Sequence, residues 1–262
     1  MLVFFFFAVC LIASSVGAIV GAGGGVIIKP VLDMTGILPV STVSFCSGST
    51  VLAMSVCSLI RTRKNGVKLQ FKTSTALAIG AVFGGLLGQI LFDQVRRSFS
   101  NENVLGAMQA SCLTIMTVGV LIYVLFKNHV QALQVEYISV AVVIGLSLGL
   151  VSAFLGIGGG PMNVAVLYYF FSMDAKQAAK NSIYIIIFSQ TASLLSSVIK
   201  GTVPDFKLSY LIAMICGGVG GALLGAAISK RINNSGVEKV FNILLLVIIG
   251  IGCYNIFKYT HV

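Results

Sequence analysis

The sequence predicts an all-α integral membrane protein. Apolar residues make up 57% of the 262 residues, charged residues only 9%, and the mean hydropathy is +1.03, far from the values of soluble domains. A helix of about 20 residues crosses about 30 Å of hydrocarbon. Eight apolar stretches of this kind lie near residues 3–20, 41–60, 73–92, 104–126, 136–155, 181–199, 208–229 and 238–257. The polar segments between them are too short to fold alone, so residues 1–262 are expected to form a single membrane domain.

The first apolar stretch has some features of a cleaved signal peptide, because small residues follow its apolar centre. However, it has no basic residue before Phe4, and it leads directly into more membrane sequence. We therefore expect residues 3–20 to be retained as the first membrane helix.

A glycine-rich segment, GAGGG at residues 21–25, follows the first stretch. Backbone amides at membrane depth need partners, so such a segment is expected only where protein or an aqueous cavity shelters it. We interpret it as a break in a helix, with a new helix starting at Val26. Lys29 and Asp33 are spaced i, i+4 on that helix, so they either pair with each other or line a cavity. Because a carboxylate at this depth is costly, Asp33 is the candidate coupling residue.

The second apolar stretch ends in the densest basic cluster of the chain. This cluster contains Arg61, Arg63, Lys64, Lys68 and Lys72, with no acidic residue between them. Under the positive-inside rule such a loop stays in the cytoplasm, and both termini are then cytoplasmic if all eight stretches cross fully. Contact with anionic membrane lipid explains this cluster better than nucleic-acid binding does.

The chain contains an internal repeat. At an offset of 135 residues, Ser47 falls on Ser182, and the first glycine-rich segment falls on a second one, GIGGG at residues 156–160. At an offset of 137, Gly80, Gly84 and Gly88 fall on Gly217, Gly221 and Gly225. We therefore predict two four-helix repeats, residues 1–130 and 131–262, each with a broken or re-entrant helix. An even number of crossings predicts parallel repeats, whereas an extra crossing in each glycine-rich segment would make them inverted.

The glycines spaced by four residues lie on one helix face, which favours close packing of another helix. We interpret them as packing seams within the bundle, although the same seam could serve a homodimer contact.

The two breaks together predict an anion site. Each is followed by a new helix, the second beginning at Pro161, and the free amides and dipole at a helix start attract anions. Glycine lets a ligand approach the backbone closely. The predicted substrate-binding residues combine these glycines with nearby polar side chains: Gly23, Gly24, Gly25, Lys29, Ser47, Gly158, Gly159, Gly160, Asn163 and Ser182.

The sequence lacks the phosphate-binding and zinc-protease motifs of soluble enzymes. Val26 and Pro161 stand where GxGxxG needs its last glycine, and GxxxxGK[ST] and HExxH do not occur. The six cysteines show no CxxC spacing, which favours packing roles over a disulfide framework or a metal site. We therefore expect no enzymatic activity, no cofactor and no metal.

The residues around both breaks resemble a known family. GAGGGVIIKPVL matches the GxGGGxxxxPxL pattern of the sulfite exporter TauE/SafE family, and GIGGGPMNVAVL is similar to a second copy of it. RTRKNGV resembles the basic turn after the second span. The resemblance implies a carrier of sulfite, sulfonates such as sulfoacetate, or other small organosulfur anions across the cytoplasmic membrane. The second copy departs from the pattern, since Pro161 follows the glycines directly and Ala165 occupies the later proline position.

Three functions stay open on the sequence. Export of a small sulfur-containing anion needs no coupling ion, because the inside-negative potential favours anion exit. Uptake of an anion such as thiosulfate would need proton coupling, for which Asp33 is available, or rapid consumption inside. A non-transporting assembly factor that recruits a partner through its basic loop is the third.

Overall fold

A computed structural model describes residues 1–63, 66–98, 102–157 and 159–261. Lys64 and Gly158 lie outside these ranges. The described residues form ten α-helices and one short 3₁₀ turn at Lys127–His129. The helices are α1 (Leu2–Val20), α2 (Gly25–Thr35), α3 (Val40–Thr62), α4 (Phe71–Ser98), α5 (Glu102–Phe126), α6 (Ile138–Leu155), α7 (Pro161–Phe171), α8 (Ala175–Ile199), α9 (Leu208–Arg231) and α10 (Asn234–His261).

Eight of these helices are long and apolar enough to cross a membrane, which confirms the predicted all-α, eight-span membrane fold. Their bounds follow the apolar stretches to within about four residues, except that α4 runs on to Ser98 and α8 begins at Ala175 and not near residue 181. Asp174 explains this early start, because its side chain accepts a hydrogen bond from the Gln177 amide at 2.9 Å and caps the helix.

The two short helices, α2 and α7, have 11 residues each and are too short to be stable alone. Packing holds them in place. Ile28 and Leu32 of α2 lie in a buried cluster with Phe6 of α1, and Leu167 of α7 lies in another with Phe241 of α10.

Contacts between helix ends define the two faces of the bundle. The ring of Phe6, near the start of α1, lies 4.9 Å from that of Tyr210 at the start of α9. Thr42, at the start of α3, donates to the Asp205 carbonyl just before α9. We call this side the terminal face. At the other end, the Lys180 side chain of α8 donates to the carbonyl of Thr62, where α3 ends at the basic loop. We call that side the basic face.

The directions of α1, α2 and α3 correct the predicted topology. Since α1 and α3 both start at the terminal face, α2 runs back towards that face between them. The C-terminal part of α10 also lies there, because Lys258 donates to the Met34 carbonyl at 3.0 Å. Both termini and the basic loop were expected on the cytoplasmic side, but the structure puts them on opposite faces. The expectation that they share one side left out the return of the chain through α2, and the side on which the termini lie stays a prediction.

The glycines spaced by four residues form packing seams, as predicted. A Cβ atom on Gly80, Gly84 or Gly88 of α4 would overlap the backbone of α6. The glycines of α9, Gly217 and Gly221 among them, meet the backbone of α1 in the same way. Parallel helix pairs α4–α6 and α1–α9 are therefore in close backbone contact inside the bundle.

Candidate functional site

The first glycine-rich segment turns the chain from α1 into α2. Gly21 ends α1 with a φ of 76°, and Gly23 has a φ of 71°, conformations that side-chain-bearing residues rarely adopt. The Gly24 carbonyl then accepts hydrogen bonds from the amides of Ile27 and Ile28 at 3.0 and 2.9 Å. The amides of Gly25 and Val26 precede the first hydrogen bond of α2, as at any helix start.

The second segment turns α6 into α7 in a similar way. Gly156 ends α6 with a φ of 65°, and Gly159 has a φ of 123°. Gly160 precedes Pro161, the first residue of α7, and its carbonyl accepts from the Asn163 amide at 3.1 Å. The predicted site residue Gly158 lies outside the described residues.

The two breaks contact each other inside the protein. A Cβ on Gly25 would overlap the Ile157 carbonyl, and a Cβ on Gly160 would lie 3.4 Å from a methyl group of Val26. Gly23, Gly24, Gly25, Gly159 and Gly160 are all buried. The breaks thus lie against protein and not against lipid. Their backbone is in tight contact, and the binding role of their amides stays a prediction.

Lys29 and Asp33 form a buried ion pair, which decides between the two alternatives for them. The Lys29 ammonium lies 2.6 Å from Asp33 Oδ2, and the two side chains are only 3% and 8% exposed. Lys258 of α10 donates to the Asp33 backbone carbonyl at 3.4 Å. Asp33 Oδ1 has no hydrogen-bond partner among the described residues. The Lys29 stem also passes the second break, since its Cε would lie 3.3 Å from a Cβ on Gly156.

The neutral predicted residues differ in their hydrogen bonding. The Ser182 hydroxyl donates to the Gly21 carbonyl at 2.6 Å, so it links α8 to the first break. Ser47 Oγ and Asn163 Oδ1 are buried with no partner in the part of the chain that the structure describes. Buried polar atoms without partners are costly, and a bound molecule or water that satisfied them would remove that cost.

A polar cavity of about 70 Å³ lies between α3, α4, α6 and α8. Eight of the seventeen residues in its wall carry a hydroxyl or amide side chain: Ser41, Ser44, Gln89, Ser152, Gln190, Ser193, Ser197 and Thr202. Gly156 lies at the same wall, so the cavity reaches the second break. It opens onto a wider cavity of about 590 Å³ at the terminal face, and Ser41, Asp93 and Arg96 line both. Polar residues therefore line the way from the terminal face towards the second break.

Hydrogen bonds fix the side chains of this cavity. Ser193 donates to Gln89 Oε1 at 3.1 Å, and the Gln89 amide donates to Ser197. A Cβ on Gly48 would lie 2.8 Å from Gln190 Oε1, so a larger residue there would displace that amide from its present position. The charge at the mouth is mixed, because Asp93 lies 3.9 Å from the Lys200 ammonium while Arg96 is exposed beside it. Donors without a strong fixed charge suit a small anion that must bind and leave again.

The residues in the wall of this cavity were not predicted from the sequence. None of the predicted site residues that the structure describes is among the residues lining it; Gly159 and Gly160 line a smaller, apolar cavity of about 20 Å³ instead. A signal was present, because Ser41, Ser44 and Gly48 recur at helical spacing on α3, and Gln190, Ser193 and Ser197 do so on α8. Side chains three, four and seven residues apart share a helix face.

The fold and this cavity define a polytopic helical membrane protein with a polar path into the bundle, as membrane transporters have. The pattern that describes the sulfite exporter TauE/SafE family matches residues 6–251. The chain belongs to this family and is a membrane transporter, as the resemblance implied.

Two relatives from Bacillus subtilis (strain 168) are similar over nearly their whole length. The probable membrane transporter protein YunE is 24% identical, with 95% of this chain and 95% of the relative covered. The probable membrane transporter protein YjnA is 23% identical, with 92% and 96% covered. No solved structure matches this chain significantly.

Proposed function

We propose that this transporter exports a small sulfur-containing anion, such as sulfite or a sulfonate like sulfoacetate, across the cell membrane. The observation that carries the proposal is the polar cavity within a membrane-spanning bundle. Its wall comes from α3 and α4 of residues 1–130 and from α6 and α8 of residues 131–262. A site between two halves of a transporter is where alternating access from both sides is simplest to achieve.

Matched contacts in the two halves support the repeat on which this site depends. Gly84 packs on the Leu146 carbonyl and Gly221 on the Leu11 carbonyl. Gly84 and Gly221 are related by the 137-residue offset, and Leu11 and Leu146 by the 135-residue offset. Because α1 starts at the terminal face and α6 at the basic face, we propose that the repeats are inverted, with α2 and α7 as their half-helices.

The charge distribution supports a cytoplasmic basic face. By sequence position, eleven of the 17 Lys and Arg residues belong to that face: Arg61, Arg63, Lys64, Lys68, Lys72, Lys127, Lys176, Lys180, Lys230, Arg231 and Lys239. The terminal face has five: Arg96, Arg97, Lys200, Lys207 and Lys258. The positive-inside rule then puts both termini outside the cytoplasm. Export runs from the basic face to the terminal face, and an inside-negative potential favours it by about 2.3 kcal/mol per charge per 100 mV.

Flux into proteoliposomes tests the proposal. We expect the purified protein to move radiolabelled sulfite, and Gln190→Leu in the cavity wall to lower that flux by about tenfold or more, because a donor to the anion is lost. Thr191→Val, on the exposed side of the same helix turn, is the matched control. Absence of flux for sulfite, sulfoacetate and thiosulfate would contradict the proposal, as would full activity of Gln190→Leu.

The buried ion pair favours a second candidate, uptake of an anion such as thiosulfate with a proton. Asp33 has one carboxylate oxygen without a partner, and Lys29 joins it to the second break. A coupling carboxylate must exchange its ion pair for a proton, and this arrangement allows that. Loss of uptake in Asp33→Asn together with collapse under a protonophore would favour this candidate. Anion flux that depends only on the membrane potential, in the unchanged protein and in Asp33→Asn alike, would exclude proton-coupled uptake.

A further inference from the structure

We propose that a second cavity, on the basic face, binds the transported oxyanion with Lys176, Lys180 and Lys230. This inference deepens the proposed function and rests on it. The second cavity has a volume of about 60 Å³ and lies where the end of α3, the start of α8 and the end of α9 meet. It is separate from the polar cavity, since no residue is shared between the two linings.

The two cavities occupy equivalent positions in the two repeats. At the 135-residue offset, Ser41, Ser44 and Phe45 of the polar cavity correspond to Lys176, Ala179 and Lys180 of the basic-face cavity. These residues lie near the starts of α3 and α8, which run in opposite directions across the membrane. The same helix segment thus forms the wall of a cavity on each face.

The opposite walls correspond as well. Ser197 and Thr202 line the polar cavity, and at the same offset Thr62 and Val67 line the basic-face cavity. Unrelated surface clefts would not share positions in this way on two different helices. We infer that the cavities are the two mouths of one transport path, each built by one repeat on its own face.

The polar cavity and the basic-face cavity differ most in the charge of the residues that line them. Lys176, Lys180 and Lys230 line the basic-face cavity, and none of them lies in an ion pair among the described residues. Lys180 Nζ donates to two neutral acceptors, the carbonyls of Thr62 and Val67, at 3.2 and 2.8 Å. An ammonium group held only by carbonyls retains its positive charge for an incoming anion. The three ammonium groups around this small cavity favour sulfite, a sulfonate or another compact oxyanion.

Lys180 also links the helices around the basic-face cavity. Its two hydrogen bonds tie α8 to the end of α3 and to the basic loop. An anion that binds at the basic face competes with these carbonyls for the ammonium group. Anion binding and opening of the basic face are therefore coupled through the Lys180 side chain. The basic face, where export starts, then binds the anion more strongly than the terminal face, where the anion is released.

Transport measured from each side separately tests this inference. We expect Lys180→Gln and Lys176→Gln to raise the KM for radiolabelled sulfite applied at the basic face by about tenfold, because a charged donor is lost. The KM for sulfite applied at the terminal face should stay within about twofold of the unchanged protein, since the polar cavity is intact. Right-side-out and everted vesicles present the two faces, and Lys239→Gln is the control for charge on the same face.

The outcomes separate the two proposals. Absence of flux for sulfite, sulfoacetate and thiosulfate in the unchanged protein would refute the proposed function itself. Normal flux with no change of KM at the basic face in either lysine variant would refute the second cavity alone. A lipid phosphate has the same chemistry as the anion, so vesicles of phosphatidylcholine are compared with vesicles containing phosphatidylglycerol. An effect confined to the anionic vesicles would assign the lysines to lipid and overturn the inference. Equal thermal stability of the variants shows that folding is not the cause.

Discussion

At the scale of single residues, Gly25 is the point where the two breaks touch. A Cβ at this position would overlap the Ile157 carbonyl, which belongs to the backbone and has little room to move. We expect Gly25→Ala to lower the free energy of unfolding by about 1–3 kcal/mol, because overpacking forces the backbone to shift. Gly250→Ala is the control, since nothing lies within 4 Å of a Cβ there. Thermal unfolding in detergent measures both, and equal melting temperatures would show that the breaks separate easily.

Lys29 and Asp33 allow a second test at this scale. Lys29→Met should destabilise the protein by about 3–5 kcal/mol, because it leaves a buried carboxylate without its counter-charge. Lys29→Met/Asp33→Leu removes both charges, so its stability should return to near that of the unchanged protein. Chemical or thermal unfolding of the three proteins gives the comparison. Equal losses in the single and double variants would mean that the pair is not buried in the functional protein.

The contacts of some residues could be predicted from the sequence and those of others could not, for a physical reason. The i, i+4 spacing of Lys29 and Asp33 indicated their pairing, because that geometry is set within one helix. Ser47 and Ser182 were aligned by the repeat, yet among the described residues only Ser182 has a hydrogen-bond partner, a difference that depends on tertiary contacts. Ser193 and Ser197 were missed because serines in membrane helices commonly bond to their own backbone and signal no cavity by themselves.

At the scale of helices, the start of α8 decides where the basic-face residues lie. Asp174 caps the helix by accepting from the Gln177 amide. We expect Asp174→Ala to lower the free energy of unfolding by about 1 kcal/mol, whereas Asp174→Asn should keep the cap. Thermal unfolding of the two variants tests this, and identical losses would point to charge and not to capping. The apolar pattern alone placed this start near residue 181, because Lys176, Gln177 and Lys180 interrupt it.

The direction of α2 was beyond the sequence for a related reason. Eight long helices could be predicted because each carries enough apolar residues to cross the bilayer by itself. An 11-residue helix carries too few to show whether it crosses, returns or lies at the surface. Its direction is set by Ile28 and Leu32 packing near Phe6, which is a contact between separate elements.

At the scale of the whole molecule, the two halves interlock. α1 of residues 1–130 packs on α9, and α6 of residues 131–262 packs on α4, in both cases through glycines in backbone contact. Each half alone therefore lacks the close partners of two of its helices, which are α1 and α4 in residues 1–130 and α6 and α9 in residues 131–262. These glycine seams are filled within one chain, so a homodimer, if it forms, uses other surfaces.

Membrane orientation is the property of the whole molecule on which the direction of export depends. The α2 return puts the C-terminal end of α10 on the face opposite the basic loop. Because most of the basic residues lie on the basic face, we expect alkaline phosphatase fused to the C-terminus to be active and green fluorescent protein fused there to be dark. Insertion of each reporter at Gly66 in the basic loop should give the reverse. A fluorescent C-terminal fusion with an active phosphatase at Gly66 would invert the orientation and make the lysine-lined cavity the extracellular mouth.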